Sequence, residues 1–315
     1  MKPETLKKVY FCTLIKTFNM KKILVPLVGV LLLSGFYACQ KDQLGVYNPE
    51  KKIHQVYSEE DGRYLREEWN WAGNTLSKID FFRPSGSLQN THQYIYDGDR
   101  LSRIEAEDQY TEFLYDGDLL KTINTYTNDK LTETYDLSFE KNKLSHISYK
   151  KPAKGSEECG FFPMFMPGND EWTRLLTADR GAKMETYNFR DAEIDYVWEG
   201  DNIKYMKMRI TRPDSIQQLT FTYVYDDNLN PKDGLLSLYP VRTLLNDRPQ
   251  YLFCSKNNVT SVMVTDIYDV FSKTTSFTYS YECHNKYPSK VYSTSWNAAS
   301  NKMDSTLLYT YVYLH

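Results

Sequence analysis

One recurring pattern constrains the fold of this chain more than any other sequence feature. In its consensus form, two aromatic residues at positions i and i+2 precede an acidic residue, a turn of Gly, Asn or Asp, an aliphatic residue, and a second aliphatic residue three positions further on. The pattern occupies residues 69–79, 94–104, 113–123, 137–147 and 196–206, while 223–229 keeps its first half and 256–262 its second half. Such a chain is expected to repeat one supersecondary structure.

Each unit predicts a β-hairpin. Aromatic residues at i and i+2 share one face of a strand, and the Gly, Asn and Asp residues that follow tolerate the positive φ of a tight turn. Asp97-Gly98 and Asp116-Gly117 are the strongest of these signals. The turn carboxylates also suggest calcium ligands, but the further oxygens that a calcium loop needs do not follow, so turn chemistry is the favoured interpretation.

Strand periodicity persists between the turns. Aromatic and polar residues alternate over 276–281, and Tyr occupies every second position over 309–313. Tyr suits this arrangement because its ring packs on a half-buried pleated surface while its hydroxyl stays in water. We therefore predict an all-β fold, an antiparallel meander of repeated β-hairpins that forms a large curved sheet or barrel-like structure, with one or two short helical or loop insertions.

The first predicted insertion covers about 151–185. It contains an apolar loop with Phe161 and Phe162, followed by a short helix predicted over about 170–178. We expect the insertion to pack across the sheet or to plug an open end. If the apolar loop is exposed, it forms a ligand- or partner-binding patch, although core filling is the favoured interpretation.

The second predicted insertion covers about 231–250. It encloses residues 235–239, Leu-Leu-Ser-Leu-Tyr, for which we expect one or two helical turns.

The N-terminus predicts export. Met20 and two lysines precede an apolar run from Ile23 to Phe36, which is too short to span a bilayer and is typical of a secretory signal. Cys39, directly after Ala38, resembles the lipobox of Gram-negative lipoproteins, in which the Cys thiol carries a diacylglyceryl group; a plain secretory signal with an incidental Cys is the less favoured alternative. The expected organisation is an upstream extension over 1–19, a lipoprotein signal peptide over 20–38, an N-terminal tether over 39–58 and a single β domain over 59–315.

The sequence after Cys39 and the charge of the mature chain indicate its surroundings. Residues 40–43, Gln-Lys-Asp-Gln, resemble the short signal that sends some gut-bacterial lipoproteins to the cell surface, so we expect lipid anchoring in the outer membrane, with the cell surface favoured over the periplasmic face. Residues 1–38 hold six of the 38 basic residues and one of the 41 acidic ones, which leaves 32 and 40 and a net charge of −8. This charge argues against nucleic acid as a partner.

The cysteines do not indicate a disulfide framework, and the histidines do not indicate a metal site. Cys159, Cys254 and Cys283 are an odd set without CxxC spacing; Cys254 and Cys283 can pair if their strands are neighbours, but incidental burial is favoured. The chain has five His, none at ligand spacing, so we expect no metal and no cofactor.

No catalytic motif of the common kinds is present. The sequence lacks a Gly-x-Ser-x-Gly elbow, a His-Glu-x-x-His motif and a phosphate-binding Gly-rich loop. His146, His284 and His315 stand alone and are expected to be surface or strand residues rather than general bases. A glycan-active hydrolase with carboxylates hidden among the acidic residues remains an alternative function.

The hairpin unit carries a resemblance to known families. Its form at 94–104 resembles the tyrosine–aspartate repeats of Rhs-type proteins, and residues 225–231 and 255–259 resemble a family of uncharacterised gut-bacterial lipoproteins with a porin-like fold. The similarity spans about 60–315. It implies an all-β, barrel-like sheet, and it implies no activity and no functional residue.

A non-catalytic module that binds glycan or protein, or has a structural role, is the favoured function. A membrane-inserted porin-like barrel is less favoured, because residues 103–108 and 136–141 put charge on both strand faces. Trp71 and Trp198 occupy the aromatic position of the unit and are expected in the core. Trp296, in a turn-like stretch, is the best candidate for an exposed ring, and the predicted ligand-contact residues are Trp296, Trp172, Phe161 and Phe162.

Overall fold

The computed structural model describes residues 47–59, 62–107, 109–150, 191–211, 216–237, 251–252, 255–268, 271–297 and 301–314, all within one structural unit. Strands account for most of these residues. Their bounds are β1 Ile53–Ser58, β2 Tyr64–Ala72, β3 Thr75–Phe82, β4 Leu88–Asp97, β5 Arg100–Ala106, β6 Gln109–Asp116, β7 Leu119–Thr127, β8 Lys130–Glu140, β9 Lys143–Lys150, β10 Asp191–Glu199, β11 Asn202–Thr211, β12 Ile216–Leu229, β13 Leu236–Ser237, β14 Tyr251–Leu252, β15 Asn257–Tyr268, β16 Phe271–His284, β17 Tyr287–Asn297 and β18 Lys302–Tyr313.

Sixteen of these strands form a closed antiparallel barrel. Each strand pairs with its neighbour along the chain, except that β12 pairs with β15 across the small β13–β14 sheet. The barrel closes between β1 and β18, where Val56 lies opposite Tyr311. Closure removes the exposed edges that a meander of this length would otherwise leave. The predicted all-β, barrel-like meander is confirmed.

The predicted turns join the hairpins in the expected way. Gly98, at the first position of the β4–β5 turn, has φ of 65°, as a type II′ turn requires. In the β8–β9 turn Lys141 and Asn142 have φ of 50° and 63°, the pattern of a type I′ turn. These turns all lie at the end of the barrel where the chain enters β1, which we call the entry end; the opposite end, with the turns at 83–87 and 128–129, is the far end.

A β-bulge explains why the two aliphatic residues of each unit are three positions apart. In the β4–β5 pair Ile95 lies opposite Arg103 and Tyr96 opposite Leu101, so Ser102 is an extra residue. The bulge turns Leu101 and Ile104 to the same face, where both are buried. The Ser102 hydroxyl donates a hydrogen bond to the carbonyl of Ile95 at 3.0 Å. The same bond is made at other bulges by Ser77, Ser145, Thr260 and Ser289.

The second aromatic residue of a unit binds the bulge of the preceding hairpin. The Tyr115 hydroxyl donates to the carbonyl of Leu101 at 2.8 Å, and the Trp198 indole N–H donates to the carbonyl of Leu144 at 2.6 Å. Each accepting carbonyl directly precedes a bulge residue, where the ladder of backbone bonds is interrupted. We call this bond the aromatic clasp; it is also made by Trp71, Tyr225, Tyr281 and Tyr313.

Basic residues add a second link between neighbouring hairpins. Arg100 donates to the carbonyl of Gly117 at 2.6 Å, binds the Asp118 carboxylate, and lies 5.7 Å from the ring of Tyr115. Lys52 and Lys143 occupy equivalent places over Trp71 and Trp198. The entry end is therefore tied together by side chains as well as by strand pairing.

The two faces of the wall differ sharply in polarity. Along β11, Met206 and Met208 are buried on the inner face, whereas Lys207 and Arg209 are exposed on the outer face. The same alternation runs around the barrel, and the buried inner residues include Trp69, Ile79, Tyr94, Ile104, Phe113, Ile123, Tyr135, Ile147, Ile194, Phe221, Val262 and Tyr279.

The entry end is covered by chain segments outside the barrel strands. Tyr47 is buried, its ring lies 5.8 Å from that of Trp71, and its hydroxyl donates to the carbonyl of Pro231 at 2.6 Å. Lys232 is also buried, with its ammonium nitrogen 3.9 Å from Glu67. Residues 231–232 thus contact Tyr47 and the inner residue Glu67 at this end.

His92 is a fully buried polar side chain on the inner face of β4. Its ring lies 4.7 Å from that of Phe81, and neither ring nitrogen has a hydrogen-bond partner. Burial lowers the pKa of His92 to about 3. The folded barrel therefore holds this imidazole neutral.

Several sequence expectations need correction. Residues 53–58 were assigned to the tether over 39–58 but form β1, because their alternation matches the inner face of the barrel. Residues 235–237 are not helical, since Leu236 and Ser237 form β13. Cys283, expected to be buried, is exposed. The signal segment, Cys39, Cys159, Cys254 and the insertion 151–185 lie outside the described residues.

Within the described residues, no helix is both long enough and apolar enough to cross a bilayer.

Removing one aromatic clasp should weaken the barrel. We expect Tyr115→Phe to lower the free energy of unfolding by about 1–2 kcal/mol, because the carbonyl of Leu101 loses its donor. Urea denaturation should show a lower midpoint with an unchanged slope. The matched control is Tyr205→Phe on the outer face, and an equal loss in both variants would contradict the role of the clasp.

His92 should make the barrel sensitive to acid. Its pKa is about 6.5 in the unfolded chain and about 3 in the barrel, so the unfolded state takes up a proton first as the pH falls below 6.5. Between pH 7 and pH 5 this linkage removes about 2 kcal/mol of stability from the wild-type protein. A His92→Leu variant should lack that part of the decrease, as measured by urea midpoints at both pH values; parallel decreases would refute it.

Candidate functional site

The structure places only part of the predicted ligand-contact set. Trp296 lies in strand β17 opposite Met303, and not in a turn. Trp172, Phe161 and Phe162 lie outside the described residues. Contact of any of these residues with a ligand remains a prediction.

The remaining tryptophans, Trp69, Trp71 and Trp198, lie on the inner face. Trp69 is buried, and Trp71 and Trp198 are packed against the core, as the hairpin unit predicted. The ring of Trp69 stacks on that of Trp71 at 6.4 Å. Since the indole N–H groups of Trp71 and Trp198 are used in aromatic clasps, these rings belong to the fold.

A pair of tyrosines on the outer face is the most distinctive surface feature of the described residues. Tyr110 on β6 lies opposite Tyr126 on β7, and their rings stack with centroids 4.6 Å apart and planes inclined by 12°. The other ring pairs between described residues lie on the inner face or at the entry end. Tyr110 and Tyr126 thus present aromatic surface to water, where the fold does not require it.

Arg103 extends the stack on the neighbouring strand β5. Its guanidinium carbon lies 4.4 Å from the centroid of the Tyr110 ring. The guanidinium also donates to Glu112 at 2.7 Å and to Glu105 at 3.0 Å, and these bonds raise the pKa of Arg103. Since Arg103 and Tyr126 lie on the strands that flank Tyr110, the Tyr110 ring is held between them. We call Arg103, Tyr110 and Tyr126 the tyrosine stack.

Tyr126 is the member of the stack that lies farthest from Arg103, on strand β7. Partial burial, and then the neighbouring carboxylate of Glu112, which hydrogen-bonds its hydroxyl, raise the pKa of Tyr126. Across the strand pair it lies opposite Leu131, a side chain that is 40% exposed. The ring face that does not touch Tyr110 therefore adjoins apolar surface. Asn124, held by Thr134, lies on the same outer face.

This arrangement combines a flat apolar surface with hydrogen-bonding groups at its edge. An aromatic ring face accepts the C–H groups of a sugar ring, and carboxylate, amide and guanidinium groups bind hydroxyls. Glu105 and Glu112 already share one guanidinium, so they are positioned to accept hydrogen bonds as carboxylates. The chemistry fits recognition of a neutral, polyhydroxylated ligand.

Strand parity is the sequence signal that identifies this site. Phe113 and Tyr115 are the aromatic positions of their hairpin unit and face inward. Tyr110 is three residues before Phe113 and therefore faces outward. Tyr126 is likewise three residues after the inward Ile123. An aromatic residue whose position in a strand turns it away from the core marks a ring on the outer face, and residue type alone, which favours Trp, does not identify it.

His146 is the other notable group on the outer face. It was expected to stand alone on a strand, but its two ring nitrogens lie 2.8 Å from Glu193 and 2.8 Å from Asp195. Ser148 donates to the same Glu193 carboxylate. These groups form a charge network on the surface. Within the described ranges no group of three or more His, Cys, Asp or Glu residues is arranged to hold a metal ion.

No protein-family model matches this chain, and no curated protein sequence matches it either. Among solved structures, the chain is similar to a porin-like protein from Bacteroides vulgatus, with a TM-score of 0.46, 9% identity, and coverage of 84% of this chain and 99% of that one. It is also similar to a porin-like protein from Bacteroides uniformis, with a TM-score of 0.46, 12% identity, and coverage of 87% and 100%. Because these TM-scores and identities are low, the evidence for the barrel is the strand pairing of this chain itself.

Proposed function

We propose that this protein is an exported, lipid-anchored barrel whose outer wall faces water and whose tyrosine stack binds neutral carbohydrate. The observation that carries the proposal is the Tyr110–Tyr126 pair, two rings stacked on the outer face where the core gains nothing from them. The charge on the outer wall supports its exposure to water, and the N-terminal sequence supports export and the lipid anchor.

The outer wall supports a barrel that stays in water. A barrel inserted in a bilayer presents an apolar band about 25 Å tall to lipid and keeps polar residues inside. Here Glu193 lies opposite Arg209 and Asp195 opposite Lys207 on the outer face, near the middle of β10 and β11. The inner face carries the buried apolar core, and exposed apolar residues such as Ile95 and Val197 share the outer face with these charges.

The energetic cost of burying this wall in lipid would be large. An Arg or Lys at the bilayer midplane of a barrel costs about 2–4 kcal/mol. Arg103, Lys207 and Arg209 all lie on the outer face, as do the carboxylates that pair with them. These charges favour a protein that reaches the membrane through an anchor rather than through its strands.

Cys39 supplies the proposed anchor. It follows an export signal, and only seven residues separate it from Tyr47, the first residue of the described structure. A diacylglyceryl group on this thiol would hold a water-facing barrel at the outer membrane, with the cell surface as the proposed location. A lipid anchor and a charged wall are consistent with each other, because a barrel embedded in lipid would not need the anchor.

Binding fits the tyrosine stack better than hydrolysis. A glycosidase needs one carboxyl group that is protonated and another that is ionised. Glu105 and Glu112 both bind the same Arg103 guanidinium, at 3.0 Å and 2.7 Å. They also lie on the open face of the wall. The stack therefore offers ring and hydrogen-bonding contacts to a sugar, and its two carboxylates are already engaged by one guanidinium.

The anchor can be tested in cells of a Gram-negative host. We expect the wild-type protein to fractionate with membranes and Cys39→Ala to be released as a protein that stays soluble without detergent, because the charged wall favours water. Cys283→Ala is the matched control and should remain in the membrane fraction. Retention of Cys39→Ala in membranes after a high-salt wash would contradict both the anchor and the water-facing wall.

Carbohydrate binding can be tested with the soluble Cys39→Ala chain on an array of neutral and acidic polysaccharides. We expect binding to neutral glycans, and Tyr126→Ala should weaken it about tenfold through loss of one stacking surface. Tyr292→Ala is the matched control, because Tyr292 is also partly exposed and bound to a carboxylate but has no stacked partner among the described residues. It should bind as the parent does.

Two outcomes of that experiment would count against the proposed site. The absence of binding to any glycan would reject carbohydrate recognition. Loss of binding in Trp296→Ala, with Tyr126→Ala unaffected, would move the site to the residue that the sequence alone favoured.

A further inference from the structure

We infer that the entry end of the barrel faces the lipid bilayer and that the tyrosine stack is displayed at the end away from it. This inference rests on the proposed anchor at Cys39. It adds an orientation, and with it the side from which a ligand reaches the protein.

The chain is first held against the barrel at Tyr47. Tyr47 is only 6% exposed, its ring packs against Trp69 and Trp71, and its hydroxyl binds the carbonyl of Pro231. From there residues 47–52 run along the entry end to Lys52, which binds the turn at Gly73. The chain is therefore held at the entry end before it enters β1.

The tether between Cys39 and Tyr47 is short. Cys39 and Tyr47 are eight residues apart in sequence. A chain spans at most about 3.6 Å per residue, so the lipidated Cys39 lies within about 29 Å of Tyr47. Such a short tether keeps the entry end next to the headgroups without any need for extension.

The height of the barrel wall is close to the greatest length that the tether can span. Strand β8 has 11 residues, and strands in barrels tilt by about 40° at a rise of about 3.3 Å per residue, so the two ends are separated by about 25 Å. Bringing the far end to the membrane would force the tether to run nearly fully extended along a charged wall. The loss of chain entropy opposes that arrangement.

The tyrosine stack lies near the far end of the barrel. Tyr126 is two residues before Asn128, which forms the far-end turn with Asp129, and Tyr110 lies at the start of β6 beside the same end. The turns at 98–99 and 117–118 lie at the opposite end, towards the bilayer. The stack is thus placed where a polysaccharide in the surrounding medium reaches it without crossing the headgroup layer.

The orientation can be measured by energy transfer on the full lipidated protein in vesicles. In a background with Cys159, Cys254 and Cys283 replaced by Ser, single donor labels are attached at Asp99→Cys in an entry-end turn or at Lys130→Cys at the far end. Both positions are exposed. The acceptor is a dye on lipid headgroups.

We expect transfer from position 99 to be at least about twofold more efficient than from position 130, given end-to-end spacing of about 25 Å. A variant with a long Gly/Ser linker inserted between residues 43 and 44 should reduce this difference, because the tether then no longer fixes which end is near the membrane.

The outcomes separate the inference from the function on which it rests. A protein that floats with vesicles but transfers equally from both positions, or better from position 130, would overturn the orientation and leave the anchor standing. A lipid-processed protein that does not float with vesicles would overturn both. Carbohydrate binding is measured independently on the soluble chain, so its failure is distinguishable from either result.

Discussion

The barrel depends on one recurring hydrogen bond, the aromatic clasp from a Tyr hydroxyl or Trp indole to the backbone carbonyl before a bulge. A bulge interrupts the ladder between two strands and leaves a carbonyl to be satisfied. Tyr115 supplies the donor for Leu101, and Trp198 supplies it for Leu144. The bulge turns two aliphatic residues inward, and the clasp joins the hairpin that contains them to the next hairpin. Core packing and strand order are therefore specified by the same short stretch of sequence.

This arrangement determines what each face of the wall can carry. Since the clasps pair the hydroxyl of Tyr115 and the indole N–H of Trp198 with backbone carbonyls, these large rings lie on the inner face with their polar atoms satisfied. His92, also on the inner face, is a buried ring whose two nitrogens have no hydrogen-bond partner. The outer face is left free for charge, and pairs such as Glu193 with Arg209 occupy it. The distribution of polarity is opposite to that of a barrel solvated by lipid.

The sequence predicted what is local and missed what depends on distant register. Asp97-Gly98 identified a hairpin, and the turn residues Lys141 and Asn142 adopt the positive φ that their type allows. The closing strand β1 was assigned to a tether, because its pairing with β18 joins residues more than 250 positions apart and leaves no local signal. The three-residue spacing of Leu101 and Ile104 was visible, but its cause, the extra Ser102, becomes evident only from the pairing register. At the site, Trp296 was predicted from its residue type. Tyr110 and Tyr126 are instead identified by their alternation along the strand, which turns them to the outer face.

Parity also separates the candidate site from the requirements of the fold. A cross-strand aromatic pair contributes about 0.2–1 kcal/mol to a sheet, which gives a reason for Tyr110 to lie opposite Tyr126. It gives no reason for the pair to lie beside the exposed Leu131, or for Arg103 to hold two carboxylates at the edge of the pair. Cross-strand pairs on the same two strands are satisfied without aromatic rings, as Thr111 and Thr125 show on the inner face. The stack therefore combines more features on the outer face than cross-strand pairing accounts for, and this is the reason for placing the proposed carbohydrate binding there.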